Sequence, residues 1–466
     1  AIAAAASRAV SMRPAGVKKM RRIETAREAA AAIAGQDPGS KTGRREAKMQ
    51  RTEGQLGWYM GGQASWFISL GMQFVLFPHL VANVLHEPAF FVGLAQMCLQ
   101  IPALLLMLVG GLTAERSDCR TILIRVHLIA ALPALGLGYA LLQGLLAYEI
   151  LILYALTMGT LGAFAIPARD SSLSRLGGQD IQRIVTIAMG VQLSGQLLGM
   201  LSVQLIPFLS AYFGLEDLNA VSLFLHVQAL VMVLGGMAVF QLRPMPSLHE
   251  PSGATRGSDI LDGLREVWHS PSIFPVIVLI TAIGLLYVGS FMVLMPLMVR
   301  DIYGGGVSQL SAANLSFWGG TILATFTLLR FGHVEARGKV LVASVGSGAI
   351  ILALFSLPIS FWMFCALSFL WGIGAGTTMT ITRTIVQSEA RPTHRARVLS
   401  IYQLGMMGGG PIGSFAMGGL IGLTGLANAV LLPALVMAGI LAWLCARTAL
   451  LSLHAPRPEL HNEGRS

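Results

Sequence analysis

The chain has 466 residues, of which 54% are hydrophobic and only 12% charged, and it carries a formal net charge of +10. A soluble domain has about twice that share of charged residues, so the composition excludes an ordinary soluble protein and indicates one embedded in a lipid bilayer. Residues 1–56 hold twelve basic and five acidic side chains. No nucleic-acid recognition motif accompanies this charge, and we expect no nucleic-acid partner.

Residues 1–56 are predicted to form a basic cytoplasmic tail, because such segments fix topology and touch anionic lipid headgroups. Twelve apolar stretches follow, each about long enough to cross the hydrocarbon core of a bilayer. Their approximate cores are 58–80, 90–111, 121–142, 149–168, 185–207, 219–241, 272–298, 309–330, 340–358, 361–383, 397–421 and 427–448. The predicted fold class is therefore an all-α polytopic membrane protein with twelve transmembrane helices.

The distribution of lysine and arginine predicts the orientation of these spans. Basic residues occupy the N-terminal tail, every second loop and the C-terminal tail, whereas the intervening loops contain only Arg300. Because cationic loops resist translocation, both termini are expected in the cytoplasm and the chain in the plasma (bacterial inner) membrane.

The longest cytoplasmic loop separates six spans from six. The expected domains are a six-helix bundle at 57–241, a linker at 242–271, a second six-helix bundle at 272–449 and a cytoplasmic tail at 450–466. Prolines within 243–258 predict a flexible segment. Apolar residues at helical spacing within 259–269 predict an amphipathic helix, either on the membrane surface or packed against the ends of the spans.

The two halves repeat at an offset of 214 residues. The identical pairs are Gly162 and Gly376, Arg169 and Arg383, Arg183 and Arg397, Gly195 and Gly409, and Gly199 and Gly413. Two arginine pairs that flank equivalent loops favour duplication over chance. Two parallel six-span repeats are the plan of a large class of transporters, which hold their substrate between the halves.

The loop between spans two and three carries a signature of Gly, three residues, Asp-Arg, one residue, Gly or Asp, and two basic residues. The chain matches it at Gly111, Arg116, Asp118 and Arg120, and departs from it at Glu115 and Cys119. Further matching stretches are 62–71, 166–169, 295–301 and 395–400. On these residues the chain resembles the major facilitator superfamily, and within it the enterobactin-exporter-like and macrolide-efflux-like branch of drug:proton antiporters.

This resemblance covers about residues 57–449. It implies two six-helix pseudo-repeats in the major facilitator fold. It also implies that the chain exports a small amphipathic solute, siderophore-like or drug-like, by alternating access coupled to protons.

Two groups of charged residues are candidates for gating. The resemblance implies that the loop bearing Glu115 meets the start of span eleven near Arg397 and latches the halves in the outward-open state. A solvated loop that serves topology alone is the alternative. Arg169 and Arg383, at the inner ends of spans four and ten, could pair with acids such as Asp170 and close the cytoplasmic mouth, or act as snorkelling anchors.

Polar residues within spans are candidates for the substrate cavity, which spans one, four, seven and ten line in the superfamily. Gln63, Trp66 and Gln73 share one face of span one, where a ring between amides suits a flat, hydrogen-bonding solute. The other candidates are Gln192, Gln196, His226, Tyr287, Ser290 and Thr377. Each of these side chains could instead hydrogen-bond a neighbouring helix.

The residues for energy coupling are less evident. No Asp or Glu falls at mid-span, and Met72 occupies the place of the acid that many relatives carry in span one. His226 is the most central ionisable side chain. No P-loop, nucleophile elbow or metal-ligand spacing is present, so we expect no enzyme activity, no cofactor, no metal and no ATP-driven step.

Two functions are consistent with these patterns. The first is a secondary transporter that exports an amphipathic small molecule, with protons as the coupling partner that the resemblance implies. The alternative is a transporter-shaped structural or assembly subunit of a larger membrane complex, which the missing mid-span acid, the altered loop signature and the basic tail would allow.

Overall fold

The computed structural model describes residues 41–177, 181–214, 216–245, 265–332, 334–390 and 395–453. The chain divides into two compact units, Ala1–Gly57 and Trp58–Ser466. Of the first unit, the structure describes only residues 41–57, which are helical. The described residues of the second unit form helices joined by short loops and contain no strand.

Within the described ranges, twelve helices are long and apolar enough to cross a membrane. They are α1 (Lys41–His79, continued by a π-helical turn at Leu80–Val84), α2 (Ala89–Arg116), α3 (Cys119–Leu142), α4 (Tyr148–Gly177), α5 (Ile181–Val203, resumed at Ile206–Phe213), α6 (Asp217–Phe240), α7 (Ile273–Ala282, a π-helical segment at Ile283–Val288, then Gly289–Asp301), α8 (Val307–Phe331), α9 (Arg337–Leu354), α10 (Phe361–Glu389), α11 (Arg395–Thr424) and α12 (Leu426–Arg447). The all-α fold class with twelve transmembrane helices is thus confirmed.

Several helices differ in length from the predicted spans. The fourth span was predicted to end at 168, but α4 continues to Gly177. Hydropathy detects only the part of a helix that lies in hydrocarbon, whereas backbone hydrogen bonds extend a helix through polar turns. The fifth span was predicted as continuous, but it breaks at residues 204–205 and resumes with Pro207 in its first turn, where proline is tolerated.

The predicted amphipathic helix lies partly outside the described residues. Residues 265–269 are helical, Val267 is buried, and the ring of Trp268 packs edge-on against Phe274 at 5.3 Å between centroids. The linker at 246–264 falls outside the described part of the chain. The proposed domain boundaries stay a prediction.

The repeated glycines lie at equivalent helix crossings. A Cβ atom added at Gly199 of α5 would lie 2.0 Å from the carbonyl oxygen of Ile68 on α1. One added at Gly413 of α11 would lie 1.9 Å from the carbonyl oxygen of Leu285 on α7. Because no side chain fits these distances, glycine at both positions lets the helices touch backbone to backbone. In both halves, therefore, the fifth helix packs on the first through the same repeated position.

Helices of the two halves also meet each other. Gly93 of α2 faces Ser414 and Gly418 of α11, and Ser311 of α8 donates a hydrogen bond of 2.8 Å to the carbonyl oxygen of Met200 on α5. We name the end of the bundle where α2 and α12 end the basic end, and the opposite end the Arg300 end. The first contact joins α2 to α11 and the second joins α5 to α8, so both cross from one half to the other.

Candidate functional site

A cavity of about 450 Å³ lies between the two halves. Helices α1, α2, α4 and α5 of the first half and α7, α8 and α11 of the second contribute its lining. Most of that lining is aromatic or aliphatic. Five methionines are prominent among its side chains: Met158, Met292, Met295, Met406 and Met407. Methionine is flexible and polarizable, so such a surface adapts to the shape of an apolar ligand.

Amide side chains are the main polar groups of the cavity. They are Gln73, Gln96, Gln100, Gln192 and Asn314. Gln73 is held from behind, because Tyr154 donates to its Oε1 at 3.2 Å and Gln228 in turn donates to the Tyr154 hydroxyl at 3.2 Å. A few oriented amides within an apolar lining are typical of sites that bind amphipathic small molecules.

Three of the predicted cavity residues line this space: Trp66, Gln73 and Gln192. The ring of Trp66 also packs edge-on against His127, with 5.7 Å between the ring centroids. Gln63 lies beside the cavity in a small adjoining pocket, where its amide donates to the carbonyl oxygen of Ala188 at 2.7 Å.

The other predicted cavity residues are not among those that line it. The Tyr287 hydroxyl donates to the carbonyl oxygen of Val345 at 2.7 Å, and the Ser290 hydroxyl donates to the carbonyl oxygen of Leu286. His226 contacts the carbonyl oxygen of Ser222, Gln196 is buried, and Thr377 is half-buried on α10. The hydrogen bonds of Tyr287, Ser290 and His226 are to backbone of the helix bundle, which is the role that polar residues in spans often have. Their contact with substrate stays a prediction.

Arg169 lines the cavity about two helical turns from the basic end of its span. Its guanidinium lies over the ring of Phe67, 4.6 Å from the ring centroid. The negative face of the aromatic ring attracts the positive charge. The Tyr59 hydroxyl donates to the backbone carbonyl of Arg169 at 3.1 Å and so helps to fix this part of α4. Asp170 and Tyr59 lie near enough to interact electrostatically with the guanidinium.

The Arg300 end is closed by hydrogen bonds between the halves. Arg300, at the end of α7, donates to the carbonyl oxygens of Ala82 at 2.9 Å and Glu87 at 2.8 Å, while Asp301 pairs with the same guanidinium. Asn83 donates to the carbonyl oxygen of Gly305 at 2.8 Å. These bonds tie the end of α1 to the end of α7.

A second pair of helices is joined at this end. The Ser308 hydroxyl donates to Oε1 of Gln204 at 2.6 Å, and the Gln204 amide donates to the carbonyl oxygen of Ser308 at 3.0 Å. They connect α5 to α8. Gln204, Ser308 and Asn83 were not predicted from the sequence, and Arg300 was identified only as an exception to the charge pattern and as part of the matching stretch 295–301. The adjacent Arg300-Asp301 pair at a span end was the available signal.

The signature loop at the basic end braces the first half. Asp118 precedes α3 and accepts hydrogen bonds from the Thr121 hydroxyl at 2.7 Å and from the backbone N–H of Met245 at 2.7 Å. Arg120 donates to the carbonyl oxygen of Phe240 at 2.7 Å. Asp118 and Arg120 therefore connect the start of α3 to the end of α6 and the residues after it.

Hydrogen bonds also set the pKa of Asp118. Partial burial alone would raise its pKa, but the bonds from Thr121, Met245 and Arg120 together outweigh burial and hold the pKa below its usual range. The carboxylate is thus charged at neutral pH, as the N-terminus of α3 favours.

The predicted latch is described only on one side. Glu115 and Arg116 are exposed, and the side chains around Arg397 lie outside the described residues. Gly111 has open space around it, whereas a Cβ at Gly110 would lie 2.1 Å from the carbonyl oxygen of Ala163. Gly110 is thus the point where α2 and α4 touch. The latch between Glu115 and α11 stays a prediction.

Asp170 and Arg383 face each other electrostatically across the two halves at the basic end. Both side chains are exposed, and these two described residues form no ion pair with each other. Opposite charges that are near but unpaired could meet if this end closed.

Residues 63–462 match the family model of transmembrane secretion effectors, which are transporters of the major facilitator type. The chain belongs to this family. The transmembrane secretion effector match confirms the predicted superfamily and spans more than four fifths of the chain.

Solved transporters have the same fold as this secretion effector. It is similar to a mutant form of the nucleoside transporter NupG, with a TM-score of 0.66 and 16% identity over 84% of this chain and 99% of that one. It is also similar to a bacterial homologue of the human lysosomal transporter Spinster in an inward-facing, unoccupied conformation. The TM-score is 0.56, and the sequences are 17% identical over 89% of this chain and 97% of that one. A third similar structure is a POT family transporter in complex with a thioalcohol-conjugated peptide. Its TM-score is 0.62, and the sequences are 13% identical over 84% of this chain and 95% of that one. None of the curated protein sequences compared with the chain matches it.

Proposed function

We propose that this transporter exports an amphipathic small organic molecule from the cytoplasm by alternating access, as siderophore and drug exporters do. The observation that carries the proposal is the cavity of about 450 Å³ between the halves, sealed at the Arg300 end by hydrogen bonds that cross from one half to the other. A path that is closed at one end and reaches toward the other is one state of an alternating-access cycle.

The orientation follows from charge. Lysine and arginine concentrate in the loops at the basic end, so we assign this end to the cytoplasm of a bacterial inner membrane and the Arg300 end to the outside. In that orientation the cavity reaches from Pro78 and Pro296, beneath the outer contacts, to Arg169 and Met406 on the cytoplasmic side. The conformation is then inward-facing, ready to accept a solute from the cytoplasm.

The cavity lining suggests the type of solute. Methionines and aromatic rings offer apolar contact that adapts to different shapes, while the amides of Gln73, Gln100 and Gln192 can hydrogen-bond polar groups. Such a lining fits a molecule that has an apolar body and a few polar groups. The assignment to the enterobactin-exporter-like and macrolide-efflux-like branch is part of this proposal.

The cycle would exchange one set of contacts for another. On opening to the outside, the bonds of Arg300, Asn83 and Gln204 must break. On closing at the cytoplasmic side, Asp170 can pair with Arg383, and the loop bearing Glu115 can meet the start of α11. Contacts that form at the basic end while those at the Arg300 end break would limit the free-energy difference between the two states, as a rocking transporter requires.

Proton coupling needs a titratable group beside the cavity, and His127 is the best placed. Its two ring nitrogens lie 2.8 Å from the carbonyl oxygen of Leu123 and 3.1 Å from that of Gly62. A neutral imidazole has one N–H and can satisfy one of these acceptors, whereas an imidazolium satisfies both. Contact with Trp66 would connect its protonation to the cavity.

The test is to block the cavity. Gly162 lines it, and a Cβ atom added there meets no atom within 4 Å, so Gly162→Trp should fill the cavity without disturbing helix packing. Gly136→Trp is a matched control, because Gly136 also has open space but lies exposed on α3. Efflux of N-phenyl-1-naphthylamine would be followed in cells that lack their main exporters.

Export by the wild type and by Gly136→Trp, with loss in Gly162→Trp at equal membrane abundance, would support the proposal. Equal export by both tryptophan variants would show that the cavity is not the path. Absence of flux in the wild type, together with stable co-purification of other membrane subunits, would instead support the assembly-subunit alternative.

A further inference from the structure

One arginine of the cavity has N–H donors that bond to no described residue. Within the described part of the chain, the Arg169 guanidinium makes no hydrogen bond and no ion pair, its face packs against the ring of Phe67, and Asp170 lies only within electrostatic range. Arg169 lies at the junction of the main cavity and the small pocket that Tyr59, Gln63 and His127 line. An arginine has five N–H donors, and a partly buried position between two cavities leaves them poorly solvated.

The described neighbouring groups leave its N–H donors unbonded. Asp170 follows it in the chain and lies within electrostatic range, but the Asp170 side chain is exposed, lies also within range of Arg383 in the other half, and forms no ion pair with Arg169. Tyr59 uses its hydroxyl on a backbone carbonyl, and both ring nitrogens of His127 face backbone carbonyls. Among the described residues that line the main cavity, none is an aspartate or a glutamate.

We infer that Arg169 binds the anionic group of the exported molecule, which would be an amphipathic organic anion that carries a carboxylate or sulfonate. This inference rests on the proposed export function and names its substrate class. A guanidinium presents paired N–H groups that match the two oxygens of such a group. The ring of Phe67 packs against the guanidinium, 4.6 Å from the ring centroid, and does not use its N–H groups.

The rest of the lining suits the remainder of such a molecule. Gln192, which follows along the same cavity wall on α5, has no described hydrogen bond and can donate to a second polar atom of the ligand. The methionines of α7 and α11 face the cavity from the other half and can enclose an apolar body. A ligand that bridges Arg169 and these methionines would contact both halves at once.

A charged cargo also changes the driving force. If the cytoplasm is at negative potential, the field expels an anion, and 100 mV favours one charge on the outside by roughly fiftyfold. An anion exporter can therefore work without a coupling carboxylate in its cavity. Met72 stands where many relatives carry an acid, and an uncharged residue there is compatible with export driven by the membrane potential.

The experiment uses two probes with the same carbon skeleton, 8-anilinonaphthalene-1-sulfonate and N-phenyl-1-naphthylamine, which differ by the sulfonate. Their affinities for the full-length protein in nanodiscs would be measured by fluorescence. We expect the wild type to prefer the sulfonate. Arg169→Gln should lose that preference by at least about tenfold while it keeps affinity for the neutral probe. Arg169→Lys, which keeps the charge, should recover part of the preference.

The matched control is Arg330→Gln, which removes an exposed arginine at the basic end of α8 that does not line the cavity. It should leave the ratio of the two affinities unchanged. A sulfonate preference that survives Arg169→Gln, an equal loss for both probes, or no preference in the wild type would overturn the inference.

Flux separates this inference from the export proposal. In proteoliposomes, a potassium diffusion potential that is negative on the cytoplasmic side should accelerate efflux of the sulfonate and not of the neutral probe. Selective binding without flux would leave the anion site standing and contradict export. Flux of both probes without a sulfonate preference would leave export standing and contradict the anion site.

Discussion

The two ends of the bundle are held together in different ways. At the Arg300 end, side chains of one half bond to the other mainly through backbone carbonyl oxygens, those of Ala82, Glu87, Gly305 and Ser308. At the basic end, Asp170 and Arg383 are oppositely charged and unpaired. The signature loop there is braced within its own half by Asp118.

This difference shows how the present state is stabilised. A carbonyl acceptor belongs to the helix end itself, so bonds to it form only when the two helix ends come together. Charged side chains act over longer distances and can draw the basic end closed when the outer contacts break. The predictions below test this contrast, in order of expected effect.

The largest shift between inward-facing and outward-facing molecules is expected from Arg300→Ala. The substitution removes two charge-assisted bonds between the halves, which together contribute about 3 kcal/mol to the closed outer end. The ratio of inward-facing to outward-facing molecules should fall by more than about a hundredfold. Spin labels at Leu145 and Leu357, both exposed at the Arg300 end, would report a longer distance.

Arg330→Ala serves as the control, because it removes an exposed arginine at the basic end of α8. It should leave the distance distribution of the wild type unchanged. If Arg300→Ala also left that distribution unchanged, the outer hydrogen bonds would not determine the state.

A smaller effect, on stability, is expected from Asp118→Ala at the basic end. The carboxylate caps α3 and binds the N–H of Met245, so its loss should cost about 2 kcal/mol and lower the melting temperature in nanodiscs. Asp118→Asn should lose less, because asparagine also caps helices. The distance between the outer spin labels should stay that of the wild type, since this brace lies within one half.

The stability from Asp118 should depend on pH. Because the folded state holds the pKa of Asp118 below its usual range, the carboxylate stabilises the protein fully above the unfolded value of about 3.9. That contribution is lost as the pH falls through the folded pKa. The melting-temperature difference between the wild type and Asp118→Asn should therefore be constant near neutral pH and shrink below about pH 4. A difference independent of pH would contradict the role of the charge.

A double-mutant cycle of Asp170→Asn and Arg383→Gln tests the gate that we propose at the basic end. Each single substitution should shift molecules toward the inward-facing state by roughly fivefold, equivalent to about 1 kcal/mol for an exposed pair. The double variant should shift no further than either single one, because the pair is broken in all three. Labels at Ser174 and Glu389 would report the opening, and additive effects would argue against pairing.

A shift of the same size is expected from Ser308→Ala at the Arg300 end. It removes the hydroxyl bond to Gln204 but leaves the Gln204 amide bonded to the backbone of residue 308, so about 1 kcal/mol is lost. The outer labels should show a shift of roughly fivefold toward the outward-facing state. An effect as large as that of Arg300→Ala would mean that the α5–α8 contact, rather than Arg300, holds the outer end.

Part of the site could be read from the sequence. The periodic placement of Gln63, Trp66 and Gln73 predicted one face of α1, and the structure brings Trp66 and Gln73 to the cavity. Gln192 was also predicted. The same reasoning selected Tyr287 and Ser290, whose hydroxyls donate to the backbone. Helical spacing shows which residues share a face, but a polar face can meet either a cavity or a neighbouring helix.

By itself, the sequence determined the twelve spans, the alternation of charged loops and the repeat that relates Gly199 to Gly413, because hydropathy and helix packing act locally and leave a pattern in the residue types. Only the tertiary structure decided which end is closed and that Arg169 lies in the cavity with no described hydrogen bond or ion pair. The closing bond from Arg300 reaches Ala82 across 218 positions and ends on a backbone carbonyl. Every residue has a backbone carbonyl, so the residue type at position 82 does not reveal this contact.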